Sequence, residues 1–146
     1  MSLDYKDLFR TLNRYKVRYL IVGSYALAFY KEPRFTNDLD IWIDANVENA
    51  EKLYKALNRF GAPLKDISIK YFTRKKNIYQ IGIAPVRIDI MMGLPGLEFD
   101  AAWKNRKKSK YGGVFVNIIG IKELIYSKRK AKRPQDILDI KDLNCK

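Results

Sequence analysis

Two aspartates stand in a short segment whose pattern is otherwise that of a β-strand. Asp38 and Asp40 alternate with the apolar residues of DLDIWI at positions 38–43. Residues two apart in a strand point to the same face, so the two carboxylates lie side by side and repel each other. A divalent cation between them would remove that repulsion, because Mg²⁺ prefers hard oxygen ligands. The pattern indicates a Mg²⁺ site, with a solvated strand face whose acids pair with lysines as the open alternative.

A third aspartate falls in a second segment of the same kind. In residues 86–91, VRIDIM, Arg87 and Asp89 share one face while Ile88 and Ile90 share the other. If this strand neighbours the first, three carboxylates converge. Such a cluster can hold two metal ions ~3.5–4 Å apart, the arrangement that serves in-line nucleotidyl transfer. We interpret Arg87 as a counter-ion of the acids.

The dipeptide Gly23-Ser24 joins a β-rich run to a short helical segment. Backbone N–H groups at the start of a helix bind anions, and a glycine there lets the anion approach closely. The Ser24 hydroxyl adds a donor, and the alternative is a simple turn in which Ser24 caps the helix. A phosphate-binding turn followed closely by paired carboxylates predicts a site for a nucleoside triphosphate with Mg²⁺.

Helical and strand patterns alternate regularly only in the first half of the chain. This order predicts an α/β or α+β protein with a mixed sheet, helices mainly on one face, and a single domain over residues 1–146. Asn46 and Gly61 are typical start and stop residues of a helix. The segments around the polar turn at 74–77 predict a β-hairpin. Helices are predicted at 4–16, 24–31, 46–61, 97–106, 121–131 and after Pro134, and strands at 17–22, 38–43, 68–73, 77–83, 86–91 and 114–119.

The composition argues against several classes of site. The chain has no histidine and one cysteine, Cys145, which argues against Ser-His or Cys-His catalysis and against a zinc site. No apolar run approaches the ~20 residues of a membrane helix, and the first residues lack the apolar core of a signal peptide. We therefore expect a cytoplasmic protein that does not act on a membrane.

Most of the positive charge lies in one stretch. Residues 104–133 hold eleven Lys/Arg and one acid, Glu123, and so carry +10 of the formal net charge of +13. Such a block favours a polyanionic partner, and a solvated basic face is the alternative. The ten tyrosines and seven phenylalanines show no spacing typical of a surface that stacks on RNA bases.

Two longer motifs resemble a known family. Residues 22–43, VGSYALAFYKEPRFTNDLDIWI, resemble the motif V-G-G-Y-A-x-x-x-H-G-x-P-R-x-T-x-D-x-D-I-W of small bacterial nucleotidyltransferases in the DNA polymerase β-like superfamily. Ser24 replaces the second glycine, and Tyr30-Lys31 replaces His-Gly. Residues 123–140 resemble the closing motif of the same group, which is similar to the abortive-infection toxin nucleotidyltransferases. The matched closing positions are Lys128, Arg133, Pro134, Asp136 and Asp139.

The resemblance implies a role for each matched residue. The aspartates would ligate two Mg²⁺ ions, with Mn²⁺ as a substitute, and Asp89 would also help to deprotonate the acceptor hydroxyl. The turn at Gly23 would hold the β- and γ-phosphates, and Lys128 would reach the triphosphate. The implied catalytic and metal-binding residues are Asp38, Asp40 and Asp89, and the implied nucleotide-binding residues are Gly23, Ser24 and Lys128.

The implied reaction moves an NMP from an NTP to an acceptor hydroxyl and releases pyrophosphate. The basic block favours RNA as the acceptor, in particular the tRNA 3′ end, as in the related toxins, and an antitoxin protein would then be a partner. A protein hydroxyl modified by AMP transfer and a small antibiotic are the alternative acceptors. A non-catalytic protein that binds nucleotide or nucleic acid is the alternative of another class.

Overall fold

The protein contains one mixed β-sheet with helices packed on it. The computed structural model describes residues 4–30, 38–83 and 86–131, and in these six strands form one sheet in the order β3-β4-β2-β1-β6-β5. The predicted fold class is confirmed. The elements are α1 (Tyr5–Arg14), β1 (Tyr19–Val22), α2 (Gly23–Leu27), β2 (Asp38–Ile43), α3 (Val47–Phe60), a 3₁₀ helix (Ile69–Thr73), β3 (Ile78–Ile83), β4 (Val86–Met91), α4 (Phe99–Lys104), β5 (Lys107–Tyr111), β6 (Val114–Ile118) and α5 (Ile121–Ala131).

The strand β2 lies at the centre of the pairing pattern. It runs antiparallel to β1, with Val22 opposite Asp40, and parallel to β4, with Asp40 opposite Asp89. The strand β6 runs parallel to β1, and β3–β4 and β5–β6 are antiparallel pairs. Because strand residues alternate between faces, Asp38, Asp40 and Asp89 share one face of the sheet, which we call the acid face. The opposite face is called the core face.

The core face is covered by α1, α3 and the 3₁₀ helix. Phe9 of α1 stacks on Tyr19 of β1, with ring centroids 6.1 Å apart. Phe72 of the 3₁₀ helix meets Tyr54 of α3 and Tyr79 of β3 edge-on. Apolar residues of α3 recur at spacings of three and four, so one stripe of this helix is buried against the sheet.

The acid face is also covered over part of its area. The ring of Trp42, two residues beyond Asp40, packs edge-to-face on Phe99 of α4 at 5.1 Å between centroids. The helix α5 packs against α2. All four residues of β1 are buried, because both faces of this strand are covered. No helix in the described residues is long and apolar enough to span a membrane.

The predicted ends of α3 are confirmed. The Asn46 side chain accepts a hydrogen bond from the Asn49 backbone N–H, and Gly61 ends the helix with a left-handed backbone. The start of α2 differs from the prediction, because α2 begins at Gly23 after Val22 and has no side-chain cap, so Ser24 lies within the helix. The helix predicted after Pro134 lies outside the described residues.

One strand prediction is wrong, and one strand was missed. The hairpin predicted around residues 74–77 does not form, because residues 69–73 make a 3₁₀ helix that buries Phe72, and β3 pairs with β4 instead. The strand β5 was not predicted. Its residues, KKSKY, carry three lysines on the edge of the sheet, where charged side chains reduce unwanted strand pairing.

A buried asparagine joins the start of β1 to the end of β2. The Asn49 side chain is 3% exposed, and its Oδ1 accepts from the Arg18 backbone N–H at 2.8 Å. Its Nδ2 donates to the backbone carbonyls of Arg18 and Asp44 at 3.1 and 2.8 Å. All three hydrogen bonds involve backbone groups beyond the ends of the β1–β2 pair, so this side chain fixes how the two strands enter and leave the sheet.

We expect the substitution Asn49→Ala to lower the free energy of unfolding by about 1–3 kcal/mol, since the partly buried Arg18 N–H and Asp44 carbonyl lose this partner. The Arg18 carbonyl keeps its hydrogen bond from the Asp44 backbone N–H. Urea denaturation of the purified protein measures this change. The control is Glu51→Ala, an exposed position on the same helix, for which we expect almost no change. Equal effects of the two substitutions would contradict the bridging role of Asn49.

Candidate active site

The structure brings the three predicted aspartates onto neighbouring strands. Asp40 and Asp89 lie directly opposite each other in the parallel β2–β4 pair, and Asp38 lies opposite Arg87. All four side chains are on the acid face. The two acidic strands are therefore neighbours, as the convergence of the three carboxylates requires.

The backbone of Gly23 lies against the carboxylate of Asp40. Gly23 follows Val22, which pairs with Asp40, and it has a left-handed backbone with φ of +67°. A Cβ built at position 23 would overlap the Asp40 Oδ2 atom. Only glycine fits both the conformation and the space. The turn that begins α2 and the paired acids thus form one continuous site.

Arg87 is the cation of this cluster. Its Nε lies 3.0 Å from Asp89 Oδ1, and its Nη2 lies 3.6 Å from Asp38 Oδ2. The interpretation of Arg87 as a counter-ion is confirmed. Both the Nε and the Asp89 Oδ1 are buried and lack a hydrogen bond of good geometry, so their contact is an ion pair without hydrogen-bond alignment.

The donor set fits a hard divalent cation in its chemistry. The acid face offers carboxylate oxygens from two adjacent strands, and Asp89 Oδ1 has no hydrogen-bond donor. Among the described residues, however, no three acidic side chains are already gathered into a metal-binding group. Arg87 supplies the positive charge between Asp38 and Asp89, and a metal ion at this face would compete with it.

Aromatic residues that the sequence did not single out lie beside the acids. The Tyr5 hydroxyl at the start of α1 is 3.4 Å from the Arg87 carbonyl oxygen. Burial raises the pKa of Tyr5, and the neighbouring Asp38 carboxylate adds to this rise. The ring of Tyr5 packs edge-on against Tyr25 of α2, whose hydroxyl is 3.3 Å from that of Tyr111. These tyrosines come from separate elements, so no local sequence signal marks them.

The remaining predicted residues lie on or next to α2. Ser24 is the second residue of α2. Lys128 lies on α5, the helix that packs against α2. The Lys128 side chain is only 2% exposed, which is unusual for a lysine. Tyr30, at the place of the family's histidine, donates a hydrogen bond to the Ile119 carbonyl oxygen, and burial raises its pKa to about 12. Tyr30 therefore carries a neutral hydroxyl that connects the region after α2 to the end of β6.

Asp44 is separated from the three site aspartates. Its carboxylate pairs with Arg18 at 2.7 Å. Burial raises the pKa of Asp44, and Arg18 opposes that rise. Asp44 also lines a cavity of about 1070 Å³ next to Trp42, together with residues that include Met92, Leu97, Phe99 and Lys104.

Solved nucleotidyltransferase structures resemble the chain over almost its whole length. No protein-family model and no curated protein sequence matches it. A candidate nucleotidyltransferase from Thermotoga maritima has a TM-score of 0.60 at 18% identity, covering 97% of this chain and 91% of that chain. A lincosamide antibiotic adenylyltransferase bound to lincomycin has a TM-score of 0.56 at 17% identity, covering 99% of this chain and 98% of that chain. The antibiotic-resistance factor ANT(2'')-Ia has a TM-score of 0.60 at 10% identity, covering 96% of this chain and 78% of that chain.

At these identities a structural likeness defines the fold and leaves the substrate open. The sequence resemblance at residues 22–43 points to the same fold. The chain has the polymerase β-like nucleotidyltransferase fold.

Proposed function

We propose that the chain is a Mg²⁺-dependent nucleotidyltransferase that moves an NMP from an NTP to an acceptor hydroxyl and releases pyrophosphate. One observation carries this proposal: the Gly23 backbone touches the Asp40 carboxylate, and Asp89 stands opposite Asp40 on the next strand. A site for phosphate oxygens and a set of metal-binding oxygens therefore adjoin each other. We place the reaction in the cytoplasm, in one domain over residues 1–146.

The turn at the start of α2 binds the triphosphate. Phosphate oxygens would accept hydrogen bonds from the backbone N–H groups of Gly23 and Ser24 at this turn. The space beside Gly23 that a Cβ would fill holds the Asp40 carboxylate, which brings the metal-binding oxygens next to the turn. Asp38, Asp40 and Asp89 would hold the Mg²⁺ ions, or Mn²⁺ in their place. When bound, these ions supply positive charge for the phosphates and for the acceptor oxygen.

Two basic residues of the chain meet the negative charge of the transferred phosphate. Arg87 now pairs with Asp38 and Asp89. If a divalent cation bound to these carboxylates, the Arg87 guanidinium would be available to the phosphate. We assign Lys128, on the helix α5 beside α2, to the binding of the triphosphate. Asp89 accepts the proton of the acceptor hydroxyl, and holding the reactants in line supplies much of the rate.

RNA, in particular the tRNA 3′ end, is the favoured acceptor because residues 104–133 carry a charge of +10. A toxin role with a cognate antitoxin goes with this acceptor. The second candidate is a small-molecule acceptor. The cavity of about 1070 Å³ beside Trp42 favours it, as does the likeness to an adenylyltransferase bound to lincomycin. A protein hydroxyl is the third.

The proposed activity predicts that Asp38→Asn together with Asp40→Asn lowers transfer on the order of 100-fold or more, because the metal-binding oxygens are lost. The assay supplies Mg²⁺ and labelled NTPs with a tRNA pool, a protein lysate and lincomycin as separate acceptors. The control is Glu51→Gln, an exposed acid of α3 on the core-face side, which should keep its activity. Mg-NTP binding that is unchanged in the double variant would favour a non-catalytic protein, and label found only on polypeptide or drug would exclude the RNA acceptor.

A second prediction concerns Gly23. Gly23→Ala should abolish Mg-NTP binding, since its methyl group displaces the Asp40 carboxylate. The matched control is Gly61→Ala, which has the same kind of left-handed backbone (φ of +92°) with nothing near its added Cβ. That control should lose about 1 kcal/mol of stability and keep binding. Calorimetric titration with Mg-NTP and thermal unfolding together distinguish the two, and equal NTP binding by both variants would refute the assigned phosphate site.

A further inference from the structure

The β5–β6 hairpin carries none of the residues assigned to the candidate active site. The β5–β6 register sets Lys108 opposite Asn117 and Lys110 opposite Phe115. These four side chains lie on one face of the hairpin, since strand residues two apart point the same way. We call this surface the hairpin face.

The opposite side of the hairpin is fixed in the core. Val116 and Ile118 of β6 are buried, and Tyr111 of β5 packs edge-on against Phe9 of α1 at 5.5 Å. The Asn13 side chain also donates a hydrogen bond to the Phe115 carbonyl oxygen at 2.7 Å. The hairpin face is therefore presented by a supported part of the sheet.

Charge and aromatic surface occur together on this face. Residues 105–118 contain no acid, and neither Lys108 nor Lys110 makes an ion pair within the described residues. Phe115 is 67% exposed, and the Lys110 Nζ lies 4.9 Å from the centre of its ring. Lysines on an edge strand reduce unwanted strand pairing, but this role does not account for the exposed phenylalanine that one of them contacts. Lysines without an ion pair in the described residues, next to an exposed aromatic ring, are better explained as a binding surface than as protection of a sheet edge.

We propose that the hairpin face binds single-stranded nucleic acid. The Phe115 ring offers a stacking surface for one base, and Lys108 and Lys110 flank it with charges for the phosphates. The Asn117 amide can donate to or accept from a base edge. Bases of a duplex are already stacked and cannot use the ring, so unpaired strands are the preferred ligand.

The hairpin face lies on the same side of the sheet as the acids. Ile21 pairs with Ile41 and with Ile118, all on the core face, so Asn117 and Phe115 lie on the acid face with Asp40. Three strand spacings of about 4.8 Å separate β5 from β2. This inference rests on the proposed function for its biological meaning, because the bound strand would be the RNA whose end is the acceptor.

Binding is measured by fluorescence anisotropy with labelled single-stranded RNA, single-stranded DNA and duplex RNA, without NTP. The assay uses the Asp38→Asn, Asp40→Asn protein as well as the wild type, so that failure of transfer and failure of binding are separate results. We expect both single strands to bind more tightly than the duplex. Tighter binding of RNA than of DNA would identify contacts to the ribose 2′-hydroxyl.

The variants separate stacking from charge. Phe115→Ala and Phe115→Leu should each weaken single-strand binding about tenfold, while Phe115→Trp should keep it. Lys108→Ala with Lys110→Ala should weaken binding and reduce the slope of log K against log salt by about 1.4. The matched control is Lys55→Ala with Arg59→Ala, which removes two exposed charges from α3 on the other side of the sheet and should leave binding unchanged.

Two results would overturn the inference. The first is unchanged RNA affinity in Phe115→Ala; if this variant also changed its sedimentation, the hairpin face would be a contact between copies of the chain. The second is equal affinity for duplex and single strand, which would indicate binding by charge alone.

Discussion

The contact between the Gly23 backbone and the Asp40 carboxylate is the constraint on which the site depends. It arises because β1 and β2 pair antiparallel with Val22 opposite Asp40, so the end of one strand adjoins the start of the next. Any side chain at position 23 would occupy the space of the carboxylate. The buried strand β1 is covered on both faces, and Asn49 fixes its entry, so packing far from the acids sets their distance from the turn.

The acid face also shows how the fold tolerates like charges on adjacent strands. Carboxylates held side by side are costly unless they are paired, and Arg87 pairs with two of the three. This arginine comes from the same strand as Asp89 and reaches across to Asp38. Arg87 therefore offsets part of this negative charge in the folded protein, and a divalent cation bound at the acid face would take over that role.

The sheet separates the two kinds of charge along its width. The acids occupy β2 and β4, and the lysines of β5 lie at the far edge, with buried β1 and β6 residues between them. The helices α1 and α3 fill the core face, whereas the acid face is covered over only part of its area, by α4 beside Trp42 and over the buried strand β1. In the proposed reaction, a polyanionic acceptor would be attracted to the lysine edge and an Mg²⁺-bound triphosphate to the central strands, so the two ligands would occupy different parts of one surface.

Short-range sequence patterns were sufficient to predict several elements of the fold. The alternation in DLDIWI and VRIDIM predicted both acidic strands, and Asn46 and Gly61 predicted the ends of α3, because each signal lies within a few residues. Pairing decided the rest. The partner of β3, the lysine-rich strand β5 and the pairing of Lys110 with Phe115 depend on which segments meet, and β-strand propensity changes with that context. The contact between Gly23 and Asp40 likewise depends on the register of the β1–β2 pair, which places Val22 opposite Asp40. The spacing of these residues in the sequence does not specify that register.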